Sequence, residues 1–220
     1  MQGHAGAGCR PCQAAFTLVE TLIVMAIIAV LAAVILGVLP QARGMARQAA
    51  CVSNVRQIVA AARMYADDHD RRLVPALTRG APPPSRGLTW CILLQPYMHS
   101  EQTLICPNDA EPSATRSYTC LPHSYGLNYR LTYNTAFGWS GPALTSKLTN
   151  VSNHSETILA FEIDSARQEA GASYLAHRLS RVKPRHGERA VFGFLDGHAK
   201  AYLPEQTVGQ GFNMWEPVGG

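Results

Sequence analysis

In the string RHGERAVFGFLDGH, His186 stands ten residues ahead of Asp196, with Gly197 and His198 directly after it. A histidine and an aspartate can act as a general-base pair, and with Asp164 and His198 they could hold a metal ion. Backbone geometry weighs against a shared site. Run as one strand at about 3.3 Å per residue, the segment would place His186 and Asp196 about 33 Å apart. Gly187 and Gly193 could bend that path, which permits closure without implying it. Asp-Gly between the apolar runs 190–195 and 199–203 is instead the chemistry of a hairpin turn. The sequence therefore assigns Asp196 and Gly197 to a turn and His186 to a structural task, capping or hydrogen-bonding a neighbouring loop. A metal site of Asp164, Asp196 and His198 is the lesser alternative.

The six cysteines are the next group that could react. Cys9 and Cys12 form a CxxC, but no second pair and no strand–helix context support zinc or redox chemistry there. Cys51, Cys91, Cys106 and Cys120 allow three pairings. The shortest loop among the non-helical ones joins Cys106 to Cys120, yet spacing leaves the pairing open. The acidic cluster Asp67-Asp68-His69-Asp70 reads as an exposed helix end before it reads as a metal site. No Gly-x-Ser-x-Gly, HExxH or phosphate loop occurs. The chain reads as a non-enzyme without a cofactor.

Glu20 is the third candidate. It is the one charge in Phe16–Leu39, FTLVETLIVMAIIAVLAAVILGVL, 24 residues with no Gly or Pro before Gly37. A helix of that length covers about 36 Å, more than a hydrocarbon core of about 30 Å. A carboxylate inside a membrane span costs on the order of 2.5–3.5 kcal/mol by insertion scales, so it needs a partner or a task.

What precedes the span is informative. Residues 1–15, MQGHAGAGCRPCQAA, are small and polar with one Arg and no acid. A secretory signal is cut after its apolar region at an A-x-A-like site, but here Ala14 and Ala15 lie before that region. The string Ala15-Phe16-Thr17-Leu18-Val19-Glu20 ahead of the apolar helix resembles the N-terminus of type IV pilins and type II secretion pseudopilins. The resemblance implies cleavage between Ala15 and Phe16 by a prepilin peptidase, which methylates the new Phe16 amine. It also implies that Glu20 pairs with the Phe16 amine of a neighbouring subunit and sets axial register. The family usually has Gly where this chain has Ala15. In the head, RHGERAVFGFLDGH also resembles the His-x9-Asp-Gly signature of a large group of prepilin-like proteins, here His186, Asp196 and Gly197. CVSNVRQIVAAARMYADDHD, CPND and SYGLNYRL fit that group as well.

The elements follow. Pro40 should kink the helix without ending it. Val52, Val55, Val59 and Ala62 then recur at helical spacing, so one helix should run from Phe16 to about Asp67. Thr157–Ile163 is a buried-strand candidate, and residues 190–203 form a hairpin. The expected fold is α+β and pilin-like, a long N-terminal helix with a small antiparallel sheet. Its parts are a leader 1–15, a transmembrane span 16–39, an amphipathic continuation 40–70 and a head 71–220. Arg43, Arg47 and Arg56 after the span, against Arg10 before it, favour a head on the inside. The resemblance places it outside, and four cysteines in the mature chain agree with that. The expected location is the inner membrane, single-pass. The expected partners are prepilin peptidase, other pilin subunits and inner-membrane lipid. A net charge of +4 without a run of four basic residues leaves no nucleic-acid footprint. The rival reading is a signal-anchored binding domain that does not polymerise.

Overall fold

A computed structural model describes residues 17–76, 89–112, 121–132, 147–164, 181–209 and 212–216. Residues 1–43 and 44–220 form two separate compact units. The architecture is α+β and pilin-like: a long N-terminal helix with an apolar span, then a four-stranded antiparallel sheet.

Helix α1 runs Leu18–Asp68 and continues through Pro40. In the first unit its apolar side chains face outward on every side, and those from Leu18 to Val38 are 51–79% exposed. This segment is long and apolar enough to cross a membrane. Past Gly44 the residues of α1 become amphipathic. Cys51, Val55, Ile58, Val59, Ala62 and Ala66 recur every three or four positions and are fully buried. Val52, expected in this stripe, is only partly buried at its margin, because the 3.6-residue repeat centres the stripe on Val55, Ile58 and Ala62.

The acidic cluster after the stripe ends the helix. Asp70 and Arg71 take left-handed φ values of 55° and 60°, which a helix cannot propagate. The Arg71 amide returns to the Ala66 carbonyl at 2.8 Å. The charges are each tied locally: Asp67 to Arg71 at 2.6 Å, Asp68 to the Tyr97 hydroxyl at 2.9 Å and Asp70 to Lys147 at 2.9 Å. His69 stacks on Tyr65 with ring centroids 3.8 Å apart.

Leu88–Tyr97, legible in sequence as a short helix or a strand, contains the helical turn α2 (Trp90–Leu93) and a 3-10 turn, Gln95–Tyr97. The sheet is ordered β1 (Tyr125–Leu127), β2 (Ile158–Glu162), β3 (Ala190–Phe194) and β4 (Ala199–Tyr202), each antiparallel to its neighbour. Tyr125 pairs with Glu162, Phe161 with Phe192, and Gly193 with Ala199. A one-turn helix α3 (Tyr129–Thr132) follows β1, and a two-stranded ribbon of β5 (Val208–Gly209) and β6 (Phe212–Asn213) lies near the C-terminus.

Both faces of the sheet are covered. Val191 and Leu195 join the α1 stripe in one core, while Ala190, Phe192 and Phe194 join Phe161 and Trp215 in another, as period-two alternation requires. Helix and sheet approach closely at Gly193, where a Cβ would sit 2.5 Å from Val55 Cγ1 and 2.7 Å from Val59 Cγ2.

Candidate functional site

The start of α1 is built by two residues of the FTLVE string. Thr17 N–H donates to Glu20 Oε2 at 2.9 Å, and the Thr17 hydroxyl donates to the same oxygen at 2.8 Å. The Glu20 amide approaches Thr17 Oγ1 at 3.3 Å. This is a capping box, the T-x-x-E arrangement that satisfies two otherwise orphaned first-turn donors. The T-x-x-E spacing is legible in the sequence itself. Ala15 and Phe16 lie outside the described residues.

A second site is buried in the head, and it contains His186. A tight turn at Gly187, φ 69°, brings His186 and Arg189 opposite each other just before β3. The imidazole enters the interior, where its Nε2 is 3.2 Å from Glu162 Oε1, the two side chains being 2% and 0% exposed. Its Nδ1 is 3.2 Å from Asn108 Nδ2. An amide nitrogen only donates, so Nδ1 accepts and the Nε2 proton points to Glu162. Asn108 also donates to the Arg185 carbonyl at 2.8 Å, and Glu162 Oε2 accepts the Val191 amide at 2.9 Å. His186 thus joins the CPND turn to β2 and β3.

The cluster extends on both sides. Arg185 pairs with Asp109 at 2.7 Å, each side chain 6% exposed. Burial, and then the charge of Glu162, push the Tyr125 hydroxyl above its usual range. Cys106 is disulfide-bonded to Cys51 of α1 across a Cα separation of 5.5 Å, and its Sγ lies 3.6 Å from His186 Nε2. The disulfide therefore does not take the shortest loop, to Cys120, which lies outside the described residues. Helical position is no obstacle, because α1 presents Cys51 toward the head core. Cys91 is buried outside the disulfide, with its sulfur 3.0 Å from Thr89 Oγ1.

The other named candidates go elsewhere. Asp196 Oδ1 accepts from the His198 amide at 3.0 Å and from its Nδ1 at 2.6 Å. Burial opposes ionisation of Asp196, but these bonds from His198 hold its carboxyl below the usual range. Gly197 has φ 107°, and Arg63 of α1 donates to the Asp196 carbonyl, so the turn is docked on the helix. Asp164 faces Lys183 at 3.9 Å. Asp164, Asp196 and His198 are thus not brought together. Among the described residues, the metal-type donors that converge are Cys51, Cys106, Glu162 and His186. His186 and Asp196 flank opposite ends of β3, His186 bonding Glu162 and Asn108 and Asp196 bonding His198. Sequence reading passed over Glu162, although a lone carboxylate in the apolar run TILAFEI was the signal that could have found it.

Residues 10–36 match the family model for the prokaryotic N-terminal methylation motif. The match is consistent with a type IV pilin-like or pseudopilin-like chain and stops well before the head, so the His-x9-Asp-Gly string lies outside it. No curated protein and no solved structure matches the chain. Together the motif and the apolar start of α1 fit a single-pass membrane anchor.

Proposed function

We propose that this chain is the precursor of a pilin-like filament subunit, cut between Ala15 and Phe16 by a prepilin peptidase that also methylates the new Phe16 amine. The observation that carries this reading is the methylation motif over residues 10–36, whose part from Leu18 onward is an exposed and mainly apolar stretch of helix with Glu20 as its one charge. Before assembly, residues 16–39 span the inner membrane once, with the head on the extracytoplasmic side, where a disulfide persists. On assembly, the same surface packs against other pilin or pseudopilin subunits. Glu20 then meets the methylated Phe16 amine of a neighbour, so that two charges costly in lipid satisfy each other and fix the axial register. Residues 40–70, helical as far as Asp68, run under the head, and the head, residues 71–220, is what the filament presents.

Intact mass and N-terminal sequencing of the protein from its native membrane test the reading. A chain beginning at N-methylated Phe16 is expected. A chain keeping residues 1–15, in a host with an active prepilin peptidase, would indicate a single-pass anchored binding domain that does not polymerise. Glu20→Ala should insert into the membrane normally and fail to enter filaments. Normal incorporation of that variant would remove the register role assigned to Glu20.

A further inference from the structure

Four side chains with metal-binding chemistry meet in the head from four separate elements: Cys51 from α1, Cys106 from the CPND turn, Glu162 from β2 and His186 from the turn before β3. Their donor atoms all lie within 4.8 Å of one another. Cys51, Cys106 and Glu162 are fully buried, and the His186 side chain is 2% exposed. We infer that, when Cys51 and Cys106 are reduced, this pocket binds one zinc ion through the two thiolates, His186 Nε2 and a Glu162 oxygen.

The distances fit that coordination. Zinc bonds of about 2.3 Å to sulfur and about 2.0–2.1 Å to nitrogen or oxygen, at tetrahedral angles, put neighbouring S and N ligands about 3.5 Å apart and N and O ligands about 3.3 Å apart. Here Cys106 Sγ is 3.6 Å from His186 Nε2, and Nε2 is 3.2 Å from Glu162 Oε1. Two edges of the tetrahedron therefore exist before any ion enters. Once reduced, the sulfurs are free to part to the roughly 3.8 Å that two zinc thiolates require.

Charge is conserved as well. Replacing a neutral disulfide by two thiolates and a divalent cation leaves the formal charge of the pocket unchanged, so neither state adds a net buried charge. Two soft sulfurs with an imidazole and a carboxylate select zinc over hard cations, and four protein ligands leave no open position. The site is structural rather than catalytic. When Nε2 binds the ion, the ring proton moves to Nδ1, and Asn108 must turn its Oδ1 to accept it, the outer contact that zinc-bound imidazoles take.

Either state ties α1 to the CPND turn, by a metal or by a covalent bond. Conversion needs an incoming disulfide as oxidant. The two thiolates form the Cys51–Cys106 bond, the oxidant takes the electron pair and leaves as two thiolates, and the ion returns to water.

The test uses the full-length chain in detergent with Cys9→Ser and Cys12→Ser, which removes the leader pair. The protein is reduced with a phosphine without oxygen and titrated with Co2+ and then Zn2+. One equivalent of Co2+ is expected to give tetrahedral thiolate–cobalt bands, displaced by one equivalent of Zn2+. The disulfide-intact chain should bind at least a hundredfold more weakly. Cys51→Ser, Cys106→Ser and His186→Gln should each weaken binding at least tenfold, with Cys91→Ser and Cys120→Ser unchanged. Circular dichroism of each metal-free variant separates a lost ligand from a lost fold. If the reduced metal-free chain is itself unfolded, recovery of the native spectrum on adding Zn2+ supports the site, and no recovery overturns it. A folded, reduced chain without stoichiometric binding would overturn it too, as would binding that Cys51→Ser and Cys106→Ser leave intact.

Discussion

At the scale of single residues, the head is held by buried polar groups that pair with one another. Arg185 and Asp109 are both nearly sealed from solvent, so removing one takes a buried counter-charge away from the other. Arg185→Ala should cost about 3–5 kcal/mol in chemical denaturation, far above the 0–1 kcal/mol expected of a surface ion pair. A loss under 1 kcal/mol would mean that water reaches Asp109. Tyr125 makes a pH-dependent contribution. Burial raises its folded pKa above the ordinary tyrosine value of about 10. The folded state therefore favours the neutral phenol. This stability is complete below the unfolded pKa of about 10 and is lost as pH rises above it. Tyrosinate absorbance should give Tyr125 no separate ionisation step before alkaline unfolding; an early step from this residue, identified by its loss in Tyr125→Phe, would contradict its burial.

Elements depend on close approach. Val55 and Val59 sit directly over Gly193 because nothing projects from that position. The two valines are buried and β-branched, so they have little rotamer freedom with which to retreat. Gly193→Ala is expected to destabilise the head by about 1–3 kcal/mol through overpacking. The control is Gly187→Ala, where no atom lies within 4 Å and the cost comes only from the left-handed φ of 69°. If Gly193→Ala proved neutral, the helix would have to sit farther from β3. Along the RHGERAVFGFLDGH segment, separate residues do separate structural work. Its histidine anchors the chain before β3, its inner glycine admits the helix, and its Asp-Gly turns the chain into β4.

For the head as a whole, the Cys51–Cys106 bond closes a span of 55 residues from α1 to the CPND turn. Constraining a loop of that length in the unfolded chain contributes about 2–4 kcal/mol. Reduction without added metal should lower the thermal midpoint of the head transition accordingly, while far-UV circular dichroism keeps its native form at low temperature. An unchanged midpoint would mean that the two core clusters and the buried polar network hold the head without the cross-link.

The sequence by itself determined the features that depend on neighbours along the chain. The apolar run of residues 16–39, the helix through the Val55–Ala62 stripe and the Asp196-Gly197 turn are written in local periodicity and turn chemistry. So is the processing motif at residues 10–36. Even the Thr17–Glu20 capping box was present as a three-residue spacing. Only the tertiary structure decided which distant residues meet. Cys106 goes to Cys51 rather than along the shortest loop, and His186 finds Glu162 and Asn108 rather than Asp196. The reason is physical. Partners 24, 55 and 78 positions apart are chosen by how helix and sheet stack and by the need to satisfy each buried polar group, and no local pattern encodes that choice.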